Sequence, residues 1–112
     1  MITEGGKAAI RDLINTNYTK MKIGNGGDST NPNASDLDVP LVSATTSNTT
    51  SGDTAIDFKG TFTGSDIAGQ TIKEIAIFNT AETIMLGRIS IDGFGPLASS
   101  DSIDIIITME IQ

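Results

Sequence analysis

The side chains that could do chemistry in this 112-residue chain are almost all oxygen donors. Asp28, Asn31, Asn33, Asp36 and Asp38 fall in one polar stretch, and such donors suit a hard cation such as Ca²⁺. Their spacing departs from the helix-flanked calcium loop, which needs donors at alternate positions, a central Gly and a terminal Glu. A solvated loop is the plainer reading. Just upstream, Gly24-Asn25-Gly26-Gly27 has the composition of a phosphate cradle. That motif also needs a helix start and usually a Lys behind it, whereas Asp28-Ser29-Thr30-Asn31-Pro32 follows here. There is no His and no Cys, which removes the commonest general base, the thiol nucleophile and any disulfide. Ser and Thr are abundant but have no His to activate them. Two carboxylates could act on a glycosidic bond, yet four Phe, one Tyr and no Trp make no obvious sugar platform. The expectation is a protein that is not an enzyme and needs no cofactor or metal.

Glu74 is the charged residue in the least comfortable place. It stands in IKEIAIF, an apolar strand, and burying it unpaired would be costly. It can pair with Arg88 across a hairpin, accept from loop backbone donors, or form a salt bridge between subunits.

The element that must hold Glu74 is Gln70–Ile91, read as two strands around a turn at Asn79–Glu82. Ile75, Ala76, Ile77 and Phe78 run without interruption, so this strand needs cover on both faces. The last strand, Ser102–Ile111, alternates strictly. Ile103, Ile105, Ile107, Met109 and Ile111 share one face, and Asp104, Ile106, Thr108 and Glu110 the other. Asp53–Thr63 alternates too, with Ile56, Phe58 and Phe62 on its apolar face and a gap at Gly60 for a bulge or a neighbouring side chain. Tyr18–Gly24 reads as a short strand with Met21 and Ile23 on one side and Lys20 and Lys22 on the other. Leu37–Val42 is an extended piece that Pro40 suits to a sheet edge. Ser43–Gly52 is polar and of low complexity, which predicts a loop or hairpin tip. Asp92–Ser100 is a loop, with Phe94 either a lid on the core or an exposed contact.

One helix is expected over Thr3–Asn15, capped by Thr3, with Glu4 in the first turn. Ile10, Leu13 and Ile14 give it an apolar stripe flanked by Ala9, while Lys7, Arg11 and Asp12 are expected to face water. The double glycine Gly5-Gly6 allows either a tight start or close approach of a partner. Together these elements predict a β-dominated α+β fold, a small antiparallel β-sandwich with one N-terminal helix, in a single domain spanning 1–112.

The net charge of −7 disfavours nucleic acid and anionic membrane surfaces as partners. No apolar run reaches the roughly 20 residues of a membrane span. Met1-Ile2-Thr3-Glu4 lacks the pattern of a signal peptide, and the chain reads as complete. The three sequons, at Asn17, Asn33 and Asn48, are read as chance in a chain rich in Thr and Asn.

Two stretches carry a family likeness. A helix followed by a strand ending in Met21-Lys22-Ile23-Gly24-Asn25-Gly26-Gly27 resembles the opening of phage tail-collar fibre proteins. Ile72-Lys73-Glu74-Ile75-Ala76-Ile77-Phe78-Asn79, then Ile84-Met85-Leu86-Gly87-Arg88, is similar to that family's hairpin, in which a Glu precedes an apolar strand. The family's Gly-Leu after the Glu is replaced here by Ile75-Ala76-Ile77, and no fibre shaft follows Gln112. The resemblance implies a stand-alone virion-attachment domain, located in the virion as part of a tail, baseplate or collar and contacting other virion proteins. A capsid decoration protein and a host-glycan-binding module are the alternatives. It also implies a homo-oligomer, with a trimer favoured. The residues marked for partner or oligomer contacts are Ile106, Asp104 and Thr108 on the outer face of the last strand, with Glu74, Arg88 and Phe94.

Overall fold

The computed structural model describes residues 1–27, 31–52 and 54–112. Among them the order is α1 (Glu4–Asn17), β1 (Lys20–Gly24), β2 (Pro40–Thr45), β3 (Ser47–Ser51), β4 (Ala55–Thr63), α2 (Gly64–Ile67), β5 (Ile72–Phe78), β6 (Met85–Phe94) and β7 (Ser102–Glu110). The strands form two antiparallel sheets, one in the order β2-β1-β5-β6 and the other β3-β4-β7. This is the expected β-dominated α+β sandwich with its N-terminal helix.

The core lies between the sheets. Met21 and Ile23 of β1, Ile56, Phe58 and Phe62 of β4, and Ile72, Ile75 and Ile77 of β5 are all buried there. Ile72 and Ile75 share that face despite their odd separation because the β5–β6 register slips between Ile72 and Glu74. Each large side chain taken fully out of water contributes about 2 kcal/mol. Gly60 is the gap expected from sequence, and Met21 fills it: a Cβ there would stand 2.7 Å from the Met21 Sδ.

β5 is covered on its other face as well. Leu37, in the segment leading to β2, packs against Ala76 and Phe78, with Met85 beside them. The apolar run of β5 is therefore explained by a sheet on one side and a loop on the other. Its turn to β6 is held by Asn79, whose Oδ1 accepts from the amides of Thr83 at 2.8 Å and Ile84 at 2.9 Å. Pro40 opens β2, the edge strand expected of it.

Three expectations fail. Asp92–Ser100 is not a loop throughout, because β6 runs on through Asp92 and Gly93 to Phe94, which pairs with Ile72 of β5. Ser43–Gly52 is not a loop: β2 runs to Thr45, Thr46 turns the corner, and β3 continues in the second sheet. Thr-rich sequence favours strand, but β3 is an edge strand whose side chains are mostly exposed, so it carries no alternation to read. The helix is also rotated from its expected setting. Thr3 caps it as foreseen, accepting from the Gly6 amide at 3.1 Å. Of the stripe, however, only Ile14 packs on the core, while Ile10 and Leu13 are exposed and Arg11 is buried. The reason is polar: the Arg11 guanidinium donates to the Gly52 carbonyl and to the Asp12 carboxylate, so the charge turns toward the β3–β4 connection. Asn48 fixes the same face by donating to the carbonyls of Asn15 at 3.1 Å and Tyr18 at 2.9 Å.

Candidate functional site

The polar features of the chain converge on the outer face of the four-stranded sheet. Glu74 is 1% exposed. Its carboxylate accepts from three backbone amides: Gly26 at 2.6 Å, Asp38 at 2.9 Å and Val39 at 2.8 Å. Backbone donors of this kind stabilise a buried carboxylate by direct charge-assisted hydrogen bonds. Of the alternatives for Glu74, loop backbone donors are the ones realised. It does not pair with Arg88, and its burial removes it from any surface that could meet another subunit.

The glycines make room for this arrangement. Gly24 lies in register between Glu74 on β5 and Pro40 on β2. A Cβ on Gly26 would stand 2.5 Å from both the Glu74 Oε2 and the Asp38 Cβ, and one on Gly24 would stand 2.7 Å from the Glu74 Oε2. The Gly-rich stretch does receive an anion, but that anion is the chain's own carboxylate.

The neighbouring charges strap the same loop. The Arg88 Nη1 donates to the Asp38 carboxylate at 3.1 Å and to the Asp36 carbonyl at 3.4 Å, and its side chain is only 5% exposed. Its buried Nε is without a hydrogen-bond partner. The Lys22 Nζ sits 3.1 Å from the Asp36 Oδ1 and 4.5 Å from the centroid of the Phe78 ring. These pairs engage two of the carboxylates considered for Ca²⁺. Asn31 Oδ1 accepts from the Asn33 amide at 3.0 Å, and Asp28 lies outside the described residues. Among the described residues no group of three or more carboxylates is placed to hold a metal ion.

The remaining marked residues lie elsewhere. Asp104, Ile106 and Thr108 are on the outer face of β7, opposite Thr61, Lys59 and Asp57 of β4. Thr61 donates to Asp104 and Thr108 donates to Asp57, each at 2.6 Å. Lys59 adds an ion pair to Asp104 at 3.6 Å. The Thr61 hydroxyl above all holds the Asp104 carboxyl below its ordinary range against the opposing desolvation, and the Lys59 ammonium adds a lesser contribution in the same direction as Thr61. Ile106 stands in the middle of this polar ladder, 61% exposed, and α1 does not cover it. Phe94 is half-buried against the core, in the place of a lid.

Sequence reasoning missed one feature. β6 and β7 are each the last strand of their sheet, and between them opens an apolar cleft of about 270 Å³. Ile75 and Ile77 line it with Leu86 and Ile89 of β6 and Ile107 and Met109 of β7. Ile89 is 46% exposed although it faces inward. The unequal strand number of the two sheets leaves β6 without full cover, and periodicity within single strands carries no trace of that.

No protein-family model matches the chain, and no curated protein matches it.

Proposed function

We propose that this chain is a structural, self-associating component of a tailed-virus particle, a domain of the tail-collar fibre type that works by protein–protein contacts and not by catalysis. The observation that carries the reading is the Glu74 cradle. The two stretches that resemble the family, the strand with its Gly-rich end and the strand with its Glu, lie side by side, and a carboxylate–amide contact of 2.6 Å joins them. Two short likenesses that meet in one physical unit are harder to attribute to chance than two unconnected ones.

An exposed Ile106 in a polar ladder supports contacts with other protein on that face. An acidic chain carries no clustered Lys and Arg for nucleic acid. Among the described residues no helix is long and apolar enough to cross a membrane.

The test is the protein's copy number in purified particles, by quantitative mass spectrometry against the major capsid protein. A tail or collar component is expected at on the order of three to twelve copies, following closed symmetry. A ratio near one-to-one moves the protein to the capsid shell, and its absence from particles overturns the reading.

A further inference from the structure

The two sheets end in four edge strands, β2 and β6 of one and β3 and β7 of the other, and these are not equally protected. An unpaired edge invites another strand, and proteins blunt it with proline, bulges, short length or charge. β2 opens with Pro40, and its register with β1 slips beside that proline. β3 is five residues long. The register of β6 with β5 slips twice. β7 has neither proline nor glycine, and all nine of its residues pair with β4 in unbroken register from Ser102 to Glu110. Of its two charges, Asp104 is already ion-paired with Lys59 of its own subunit, and Glu110 stands at the end of the strand.

The backbone shows which groups β7 turns outward. The Ile111 amide donates to the Thr54 carbonyl, and the Asp101 carbonyl accepts from the Gly64 amide. Bonding residues alternate along an antiparallel pair, so the odd-numbered residues of β7 are the ones that bond to β4. The amides and carbonyls of Ser102, Asp104, Ile106, Thr108 and Glu110 therefore point to the open edge. Among the described residues no strand meets them there.

We propose that this edge pairs with the β7 edge of a second copy, antiparallel about a two-fold axis at Ile106. The strand fits itself in that register. Ile106 is its middle residue, so all nine positions are paired. The outward-pointing residues meet one another, as the hydrogen bonds require. Ile106 faces the partner's Ile106, Asp104 the partner's Thr108, and Ser102 the partner's Glu110. On the inner side Ile105 faces the partner's Ile107, and Ile103 the partner's Met109. Like charges directly opposite would destabilise the pair, and here there are none. A register moved by one residue would set the core side of one strand beside the outer side of the other. Moved by two, it sets Asp104 opposite the partner's Glu110 in one direction, and in the other leaves Glu110 without a partner in the strand. A strand complementary to itself is what a two-fold contact needs, and it selects a second copy as the occupant. Ile106, 61% exposed in the subunit, gains its cover in the same step.

The pair specifies the self-association proposed above, but it rests on the edge and not on the virion reading. Copy number in particles bears on that reading, and the mass of the purified chain bears on this pair. A two-fold pair also differs from the trimer that the family resemblance implies.

Light scattering after size exclusion should find the purified chain at twice 11.7 kDa. Ile106→Pro removes an amide that points outward, a place where a sheet edge tolerates proline. It should keep the circular dichroism of the wild type and lose half the mass. Cysteine variants then read the register, in a chain that has no Cys of its own. Opposed residues that exchange hydrogen bonds have Cα atoms about 5.5 Å apart, within the roughly 4.4–6.8 Å that a disulfide spans. With oxidised glutathione, Ile106→Cys should cross-link to itself. Asp104→Cys and Thr108→Cys should each cross-link poorly alone and readily when mixed. A monomeric or trimeric wild type overturns the proposal, and so does a folded Ile106→Pro that stays dimeric. Asp104→Cys cross-linking to itself as fast as Ile106→Cys overturns the register on which the pairing rests. If Ile106→Pro does not fold, the wild-type mass and the cysteine mixture decide.

Discussion

β5 and β6 are neighbours in one sheet, yet only β5 is finished. Both faces of β5 are covered, and every residue from Glu74 to Phe78 is buried. β6 is paired along one edge only, and Leu86 and Ile89 remain exposed along it, with Ile84 just ahead. The difference lies in what crosses each strand. Over β5 runs the loop that inserts Leu37, tied down by Glu74, Arg88 and Lys22. Over the inner side of β6 the three-stranded sheet ends and leaves a cleft. Covering a central strand with a loop creates backbone donors that need an acceptor, and here a buried carboxylate supplies it. Where no loop exists, Leu86 and Ile89 keep apolar surface uncovered in the subunit.

The finished side should break first at Glu74. Glu74→Ala leaves the amides of Gly26, Asp38 and Val39 without their acceptor. A hydrogen bond to a charged group contributes about 1.5–3 kcal/mol. With water replacing part of the loss, we expect on the order of 4 kcal/mol or more by urea denaturation, much of the stability of a domain this size. Glu74→Gln, which keeps one acceptor oxygen, should cost about half as much. A cost below about 1 kcal/mol for Glu74→Ala would mean that the carboxylate does not hold the loop. Gly26→Ala attacks the same contact from the other side, because the new methyl would overlap Glu74 and Asp38. It should cost about 1–3 kcal/mol, typical of overpacking.

How far this contrast could be read from sequence differs between its halves. The uninterrupted run Ile75–Phe78 announced a strand covered twice, and the discomfort of Glu74 announced a special partner. The donors themselves were hidden, since backbone amides belong to every residue type. The glycines at 24 and 26 were the one visible sign, and in isolation they resembled a phosphate cradle. The alternation of β7 identified its faces correctly: Ile103, Ile105, Ile107 and Met109 pack toward the core, and Ile106 does not. The helix misled because an apolar stripe normally marks the buried side. Here an arginine with a carbonyl to bind outweighed Ile10 and Leu13, and hydrophobic periodicity has no term for that. The open cleft depends on how many strands each sheet holds, which is a property of pairing and not of any segment.

The two faces of β7 sharpen the contrast at smaller cost. Ile107 is half-buried on the core side and lines the cleft. Ile107→Asp should destabilise the subunit by about 2–4 kcal/mol, as expected for a carboxylate brought against apolar surface. Ile105→Asp should act in the same direction. Ile106→Glu should change subunit stability by no more than about 0.5 kcal/mol, because Ile106 is exposed and its cross-strand partner is Lys59. If the chain is part of a virus particle, as proposed, and this face meets its neighbours there, Ile106→Glu will instead reduce incorporation into particles. Equal thermal stabilities for Ile107→Asp and wild type would show that the inner side of β7 contributes little to the core.

The smallest effect separates the two carboxylates on which the contrast turns. Glu74 is buried and bound by backbone, whereas Asp104 is exposed and bound by the Thr61 hydroxyl and the Lys59 ammonium. Both partners favour the ionised form, so the folded chain holds the Asp104 carboxyl below its ordinary value of 3.8. The sign follows directly: the unfolded chain takes up the proton more readily, so any stabilisation is present above the ordinary value and is lost as pH falls through the lower, folded one. Exposure keeps the contribution small, and Asp104→Asn should leave the urea midpoint at pH 7 almost unchanged. The carboxyl carbon of Asp104, followed by NMR, should titrate below 3.8. Thr61→Val should move that midpoint up toward the ordinary value. Added salt should move it up less, because screening weakens the Lys59 attraction and leaves the Thr61 hydrogen bond in place. A midpoint raised more by salt than by Thr61→Val would show that the outer ladder is held by charge, in contrast to the hydrogen-bonded cradle of Glu74.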